Sequence, residues 1–169
     1  GIQNIYGLDR SHYLIVKARS MAKQEGYDIK FREGDARKIP FKTDFFDSAL
    51  LLGNSFGYFE SKNDDLMVLH EVFRVLKPMT QILIDVSDGN FIRKNFDQRS
   101  WEWIDKDYFV CRERSISSDK ERLISREVIT HTKKGVVADQ FYAERLYNQE
   151  SLTKLLTIAG FTKISFHKK

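Results

Sequence analysis

A chain of 169 residues, 41% hydrophobic and 13% aromatic, holds the material of one ordinary core and excludes a large multidomain architecture. Its formal charge of +4 arises from 28 basic and 24 acidic residues spread along the whole length, which gives little support to nucleic-acid binding. The one cysteine, Cys111, cannot close an internal disulfide, and no apolar run reaches the length of a signal core or a membrane span, so a cytoplasmic protein is expected. The four histidines lack ligand spacing, and no metal site is expected.

In chain order, "IQNIYGLD" reads as a strand over residues 2–8. Ser11 can cap a helix with Leu14, Ile15, Ala18 and Met21 on one face and Gly26 as its stop. "YDIKFREGD" gives a second strand, and "FDSALLLGN" a third whose unbroken apolar run suggests burial on both faces. Residues 63–77 make the clearest helix, with Asn63 as cap, Leu66, Leu69, Val72, Phe73 and Leu76 as its stripe, and Pro78 beyond. "TQILIDVSD" is a fourth strand. This rhythm is that of an open α/β sheet with right-handed crossovers. After residue 90, "YFVCRERSIS", "RLISREVITHT" and "VVADQFYAERLY" alternate apolar and polar residues, as antiparallel strands with one wet face do. A helix over 148–159, a stop at Gly160 and a last strand, "FTKISFH", complete the chain.

Ligands of open α/β sheets bind beyond the carboxyl ends of the strands, which places Asp9, Asp35, Gly53, Asn54 and Asp85 at the expected mouth. A carboxylate in the position of Asp9 can accept from a ribose diol, or simply cap the helix that follows. Asp35 can accept from an adenine amino group while the Ala36 N–H donates to a ring nitrogen, or Asp35 can merely close a turn. Taken together, the two spacings favour a nucleoside.

"GLDRS", "GDARKIPF", "FDSALLLGNSFGYF", "EVFRVLKP", "ILIDV" and "LLTIAGF" resemble, in order, the later motifs of class I S-adenosylmethionine-dependent methyltransferases, over about residues 5–166. The resemblance implies a Rossmann-like, mostly parallel sheet with an added antiparallel β segment. It implies S-adenosyl-L-methionine as cofactor, with Asp9 on the ribose hydroxyls, Arg10 against the adenosyl group, Asp35 and Ala36 on the adenine edge, and Leu52 and Gly53 beside the sulfonium. The corner that follows is similar to that of small-molecule N-methyltransferases, which puts Asn54 at the transfer site, and the Asn-Pro-Pro-Tyr form of nucleobase methylation is missing from it. The family's first strand and glycine-rich loop are also missing, because the sequence begins after both. Without a central strand, rows of backbone groups would stand unpaired, at about 1 to 3 kcal/mol for each one buried. Upstream residues, another chain in the slot, or a non-family closure of the sheet are therefore expected.

Methyl transfer needs alignment and exclusion of water more than it needs a nucleophile. Asp85, Asp88, Tyr58 and His131 are the base candidates for an acceptor that arrives protonated. Phe56, Tyr58, Phe59, Trp101, Trp103 and Tyr108 either wall an acceptor pocket or belong to the core, and Arg145 faces a substrate carboxylate or pairs with Glu144 or Glu150. One domain is expected over residues 1–169, with 91–147 as an antiparallel lid or dimerisation insertion. The expected partner is a small-molecule acceptor, not a membrane or a nucleic acid, with a homodimer as a further option. The alternatives are a non-catalytic binding or assembly module on the same frame, and an RNA methyltransferase.

Overall fold

The computed structural model describes residues 3–167, so the expected strand start at residue 2 lies outside the described residues. The amino half alternates as expected: β1 (Ile5–Asp9), α1 (His12–Gln24), β2 (Ile29–Glu33), β3 (Phe46–Leu51), α2 (Lys62–Val75) and β4 (Leu76–Ile84). Ser11 caps α1 by accepting from the Leu14 N–H. The side chains buried on α1 are Ile15 and Ala22, two turns apart, while Leu14 and Met21 of the expected stripe stand in solvent. Helix α2 is capped by Ser61, not Asn63, and buries Asp65, Val68, Leu69, Val72 and Val75.

Strand β4 begins four residues earlier than the apolar pattern suggests. Leu76 is already extended and buried, and Pro78 biases Lys77 away from helical backbone, so the chain passes from α2 into β4 without a loop.

Both strand pairs of this half are parallel, β1 with β2 and β3 with β4, but among the described residues no ladder joins one pair to the other. Side chains connect them instead: the Tyr6 ring of β1 meets Phe41, Phe45 and Phe46 edge-on at 5.2, 5.7 and 5.6 Å. The two-sided burial expected for β3 does not occur. Leu50 is 62% exposed beside its register partner Leu83 at 53%, because no described element covers that face, whereas Ala49 and Leu51 pack on the core.

A short helix, α3 (Gly89–Asn95), precedes a four-stranded antiparallel sheet of β5 (Arg99–Trp103), β6 (Tyr108–Ile116), β7 (Arg122–His131) and β8 (Gly135–Arg145), in that order. Three of these strands were legible from alternation; β5 and α3 were not. Helix α4 (Gln149–Ala159) starts at an Asn148 capping box and ends at Gly160, whose φ of 109° suits only glycine. Residues 161–167, expected as a strand, have no regular structure, although Phe161 sets its ring against Phe73 of α2 at 5.2 Å. The core lies where α2 and α4 meet over β3 and β4, around Val68, Leu69, Val72, Leu152 and Leu156.

Candidate functional site

The ends of β1 and β2 form one rim. Asp9 and Glu33 are register partners, and the Gly34 N–H donates to the Asp9 carbonyl at 2.9 Å, which carries the chain directly to Asp35. The Asp9 carboxylate is exposed and accepts from the Ser11 N–H at 2.7 Å, so it organises the start of α1 and keeps lone pairs for a ligand. It borders an apolar cleft lined by Leu14, Ile15 and Phe31.

Asp35 is more constrained. Arg37 grips its carboxylate with Nε at 3.1 Å from both oxygens and a second nitrogen at 2.6 Å, and its backbone N–H adds a bond of 2.8 Å. Those bonds from Arg37, with the more distant charge of Arg10, hold the carboxyl down to about 2. Arg37 is fixed in turn by Asp64 at 3.3 Å and by the Phe59 ring under its guanidinium. The loop carrying Asp35 is pinned to α2, where Glu71 accepts from the Ile39 N–H and Arg74 donates to the carbonyls of Ile39 and Phe41. Ala36 is half-buried against the core beside it.

The second rim is the corner after β3. Gly53, Asn54 and Gly57 all take positive φ, 68°, 53° and 96°, which asparagine and glycine tolerate and branched residues do not. That backbone folds the corner under β8, so that the Arg145 N–H donates to the Gly57 carbonyl at 2.8 Å. Leu52 is exposed, and nothing stands within 4 Å of the space a side chain on Gly53 would enter. Asn54 is the hub: its Oδ1 accepts from the Ser87 N–H after β4 at 2.8 Å, and its Nδ2 donates to Glu144 Oε2 of β8 at 2.9 Å. Tyr58 donates its hydroxyl to the same oxygen at 3.0 Å. Burial first, and the Glu144 charge second, push the Tyr58 phenol above its ordinary range, so it serves as a donor and not as a base.

The remaining expected residues lie elsewhere. Phe56 is buried and stacks on Tyr147, which makes it core and not pocket wall. Trp103 is 55% exposed against Phe109, on the opposite sheet face from Glu144 by the alternation of the ladder. Arg145 faces neither a substrate cleft nor the two glutamates; it is sealed against Asp65 at 2.8 Å. Asp88 caps α3, accepting from the Asn90 and Phe91 N–H groups. The Asp85 N–H extends the β3–β4 pairing to the Leu51 carbonyl, which holds this residue at the mouth. His131 sits at the β7–β8 hairpin, eight positions from Leu123, the partner of Glu144, or about 27 Å away. Glu144 and Arg37 were not anticipated as site residues. Arg37 carries a local signal, since Asp-x-Arg in a turn permits a bidentate pair; Glu144 carries none, because its partner is 90 positions distant.

Residues 1–79 match the family model described as methyltransferase domain. "Putative methyltransferase YqeM" of Bacillus subtilis (strain 168) is 26% identical over 160 residues, covering 93% of this chain and 64% of that protein. An S-adenosylmethionine-dependent methyltransferase from Clostridium acetobutylicum ATCC 824 superposes with a TM-score of 0.78 at 16% identity, over 93% of this chain and 63% of that one. The sugar N-methyltransferase KedS8 from Streptoalloteichus sp ATCC 53650 gives 0.66 at 17%, over 92% and 62%. The chain thus spans less than two thirds of the length of each of these relatives. Residues 1–79 are thus similar to a methyltransferase domain, and the chain shares the Rossmann-like fold of solved S-adenosylmethionine-dependent methyltransferases.

Proposed function

We propose that this protein moves a methyl group from S-adenosyl-L-methionine to a small-molecule acceptor in the cytoplasm. The reading is carried by one juxtaposition: Asp9 and Asp35 leave adjacent parallel strands at the same rim, joined through the Gly34 to Asp9 backbone bond. In this reading Asp9 and Arg10 hold the ribose side, Asp35 and Ala36 the adenine edge, and Leu52 and Gly53 border the reactive end. When bound, the cofactor supplies an electrophilic methyl group. The protein's part is to hold the acceptor in line and keep water away. The Gly53-Asn54 corner itself carries no charge. The sugar N-methyltransferase among the structural relatives is consistent with a small acceptor.

Asp35 favours a second reading, a non-catalytic module on the same frame, since its carboxylate is already committed to Arg37. Calorimetric titration with S-adenosylhomocysteine separates the two: micromolar binding, weakened about tenfold or more in Asp9→Ala, supports the enzyme, and silence supports the module. Turnover is then sought against amines, carboxylates and phenols by following release of S-adenosylhomocysteine.

A further inference from the structure

Glu144 is a carboxylate that is 9% exposed and has no ion pair within the described residues. Its neighbour in sequence, Arg145, turns the other way to Asp65. Both donors that reach Glu144, Asn54 Nδ2 and Tyr58 hydroxyl, land on Oε2. Among the described residues no donor reaches Oε1. That atom is not sealed either, since the one buried side-chain oxygen or nitrogen without a partner is Asp65 Oδ1. A mostly buried carboxylate with one oxygen satisfied by neutral donors and the other without a donor is unusual, because burying an anion without a cation is costly. The position matters as much as the charge. Asn54 fixes Oε2 from the corner after β3, and Asn54 itself is fixed from the end of β4, so the carboxylate is held beside the strand ends.

We propose that Glu144 Oε1 is the acceptor-binding group of this site and that the acceptor it selects is an amine. The inference rests on the methyltransferase reading above. An ammonium or amine N–H donates to Oε1 and supplies the cation that the chain itself withholds, and Tyr58 and Asn54 hold the carboxylate at a fixed angle. An acceptor arriving as ammonium gives a proton to Glu144, which frees the nitrogen lone pair. That pair forms the new N–C bond as the C–S bond breaks with its electrons left on sulfur. The product leaves as the methylated ammonium, and Glu144 returns its proton to solvent.

The test uses two cofactor analogues and needs no known acceptor. Sinefungin carries an amine on carbon where the donor carries methyl on sulfur, and S-adenosylhomocysteine carries nothing there. Calorimetry on the wild-type chain should find sinefungin tighter by about tenfold or more, the size of a charge-assisted bond. Glu144→Gln should bring the two affinities to parity while leaving that for S-adenosylhomocysteine within about twofold, which also reports that the variant is folded. Glu144→Asp, which withdraws the carboxylate by one methylene, should show the same loss and stands in if the glutamine variant does not fold. Equal affinities in the wild type, or a preference that survives in either folded variant, overturns the role of Glu144 and leaves the cofactor reading intact. Binding of neither analogue to the wild type overturns the cofactor reading and this inference with it.

Discussion

Arg145 Nε lies 2.8 Å from Asp65 Oδ2, and both side chains are almost wholly withdrawn from water. The Tyr147 hydroxyl donates to the same oxygen at 2.7 Å, and Arg145 also donates to the carbonyls of Phe59 and Glu60. Asp65 stands in the first turn of α2, where the helix dipole favours an anion. This cluster fastens β8 to α2. Arg145→Ala leaves Asp65 charged and unpaired, and should lower stability by about 3 to 5 kcal/mol in urea denaturation. Arg145→Lys should recover little, since one ammonium cannot span the carboxylate and two carbonyls.

Acid should weaken the fold through Asp35. Its carboxyl falls from an ordinary 3.8 to about 2 in the folded protein, chiefly because Arg37 donates to it. Between those values the unfolded chain holds a proton that the folded chain refuses, so stability rises with pH across that window. It is fully present above about pH 4 and drains as the pH falls toward 2. Both side chains are about one-third exposed, and water trims the size of the effect. Urea midpoints measured from pH 5 to 2 should fall more steeply for the wild type than for Asp35→Asn.

Alkali should act through two phenols. Burial first, then the partner carboxylates, raise both Tyr58 and Tyr147 above the usual 10.0. A raised acid holds its proton more tightly when folded, so stability is intact below pH 10 and is lost as the pH climbs beyond it. Tyr58→Phe and Tyr147→Phe should each flatten that decline in denaturation series above pH 9.

Asn54→Asp keeps a residue that tolerates φ of 53° but sets a second carboxylate where Nδ2 lies 2.9 Å from Glu144 Oε2. Repulsion should swing Glu144 away from the mouth. Turnover should fall by about tenfold or more while affinity for S-adenosylhomocysteine stays within about twofold. An unchanged rate would count against a role for this corner in transfer.

What could be read beforehand was what local chemistry decides. The cap at Ser11, the stop at Gly160 and the strand alternation from Tyr108 onward each act within a few residues, and the structure keeps them. Burial was less legible. The run Leu50-Leu51-Leu52 promised two covered faces, but exposure depends on what packs opposite, and a single strand carries no record of that. Arg145 misled for a related reason: an arginine beside a glutamate in sequence points to the other side of a strand, and its buried partner comes from a helix 80 positions away. Glu144 was overlooked because an alternating polar residue looks solvated until the corner after β3 is known to fold beneath it.

Gly89 passes so near the exit from β8 that a β-carbon there would stand 2.7 Å from the backbone of Leu146 and Tyr147, and its N–H donates to the Tyr147 carbonyl at 2.8 Å. The strands between these two points therefore leave and return through a single neck. Seen from the α/β half, more than fifty residues behave as a short bridge whose ends are already closed, so lengthening a hairpin far from the neck adds little closure entropy. The outer turns can then be rebuilt while the half that carries Asp9 and Asp35 is left undisturbed.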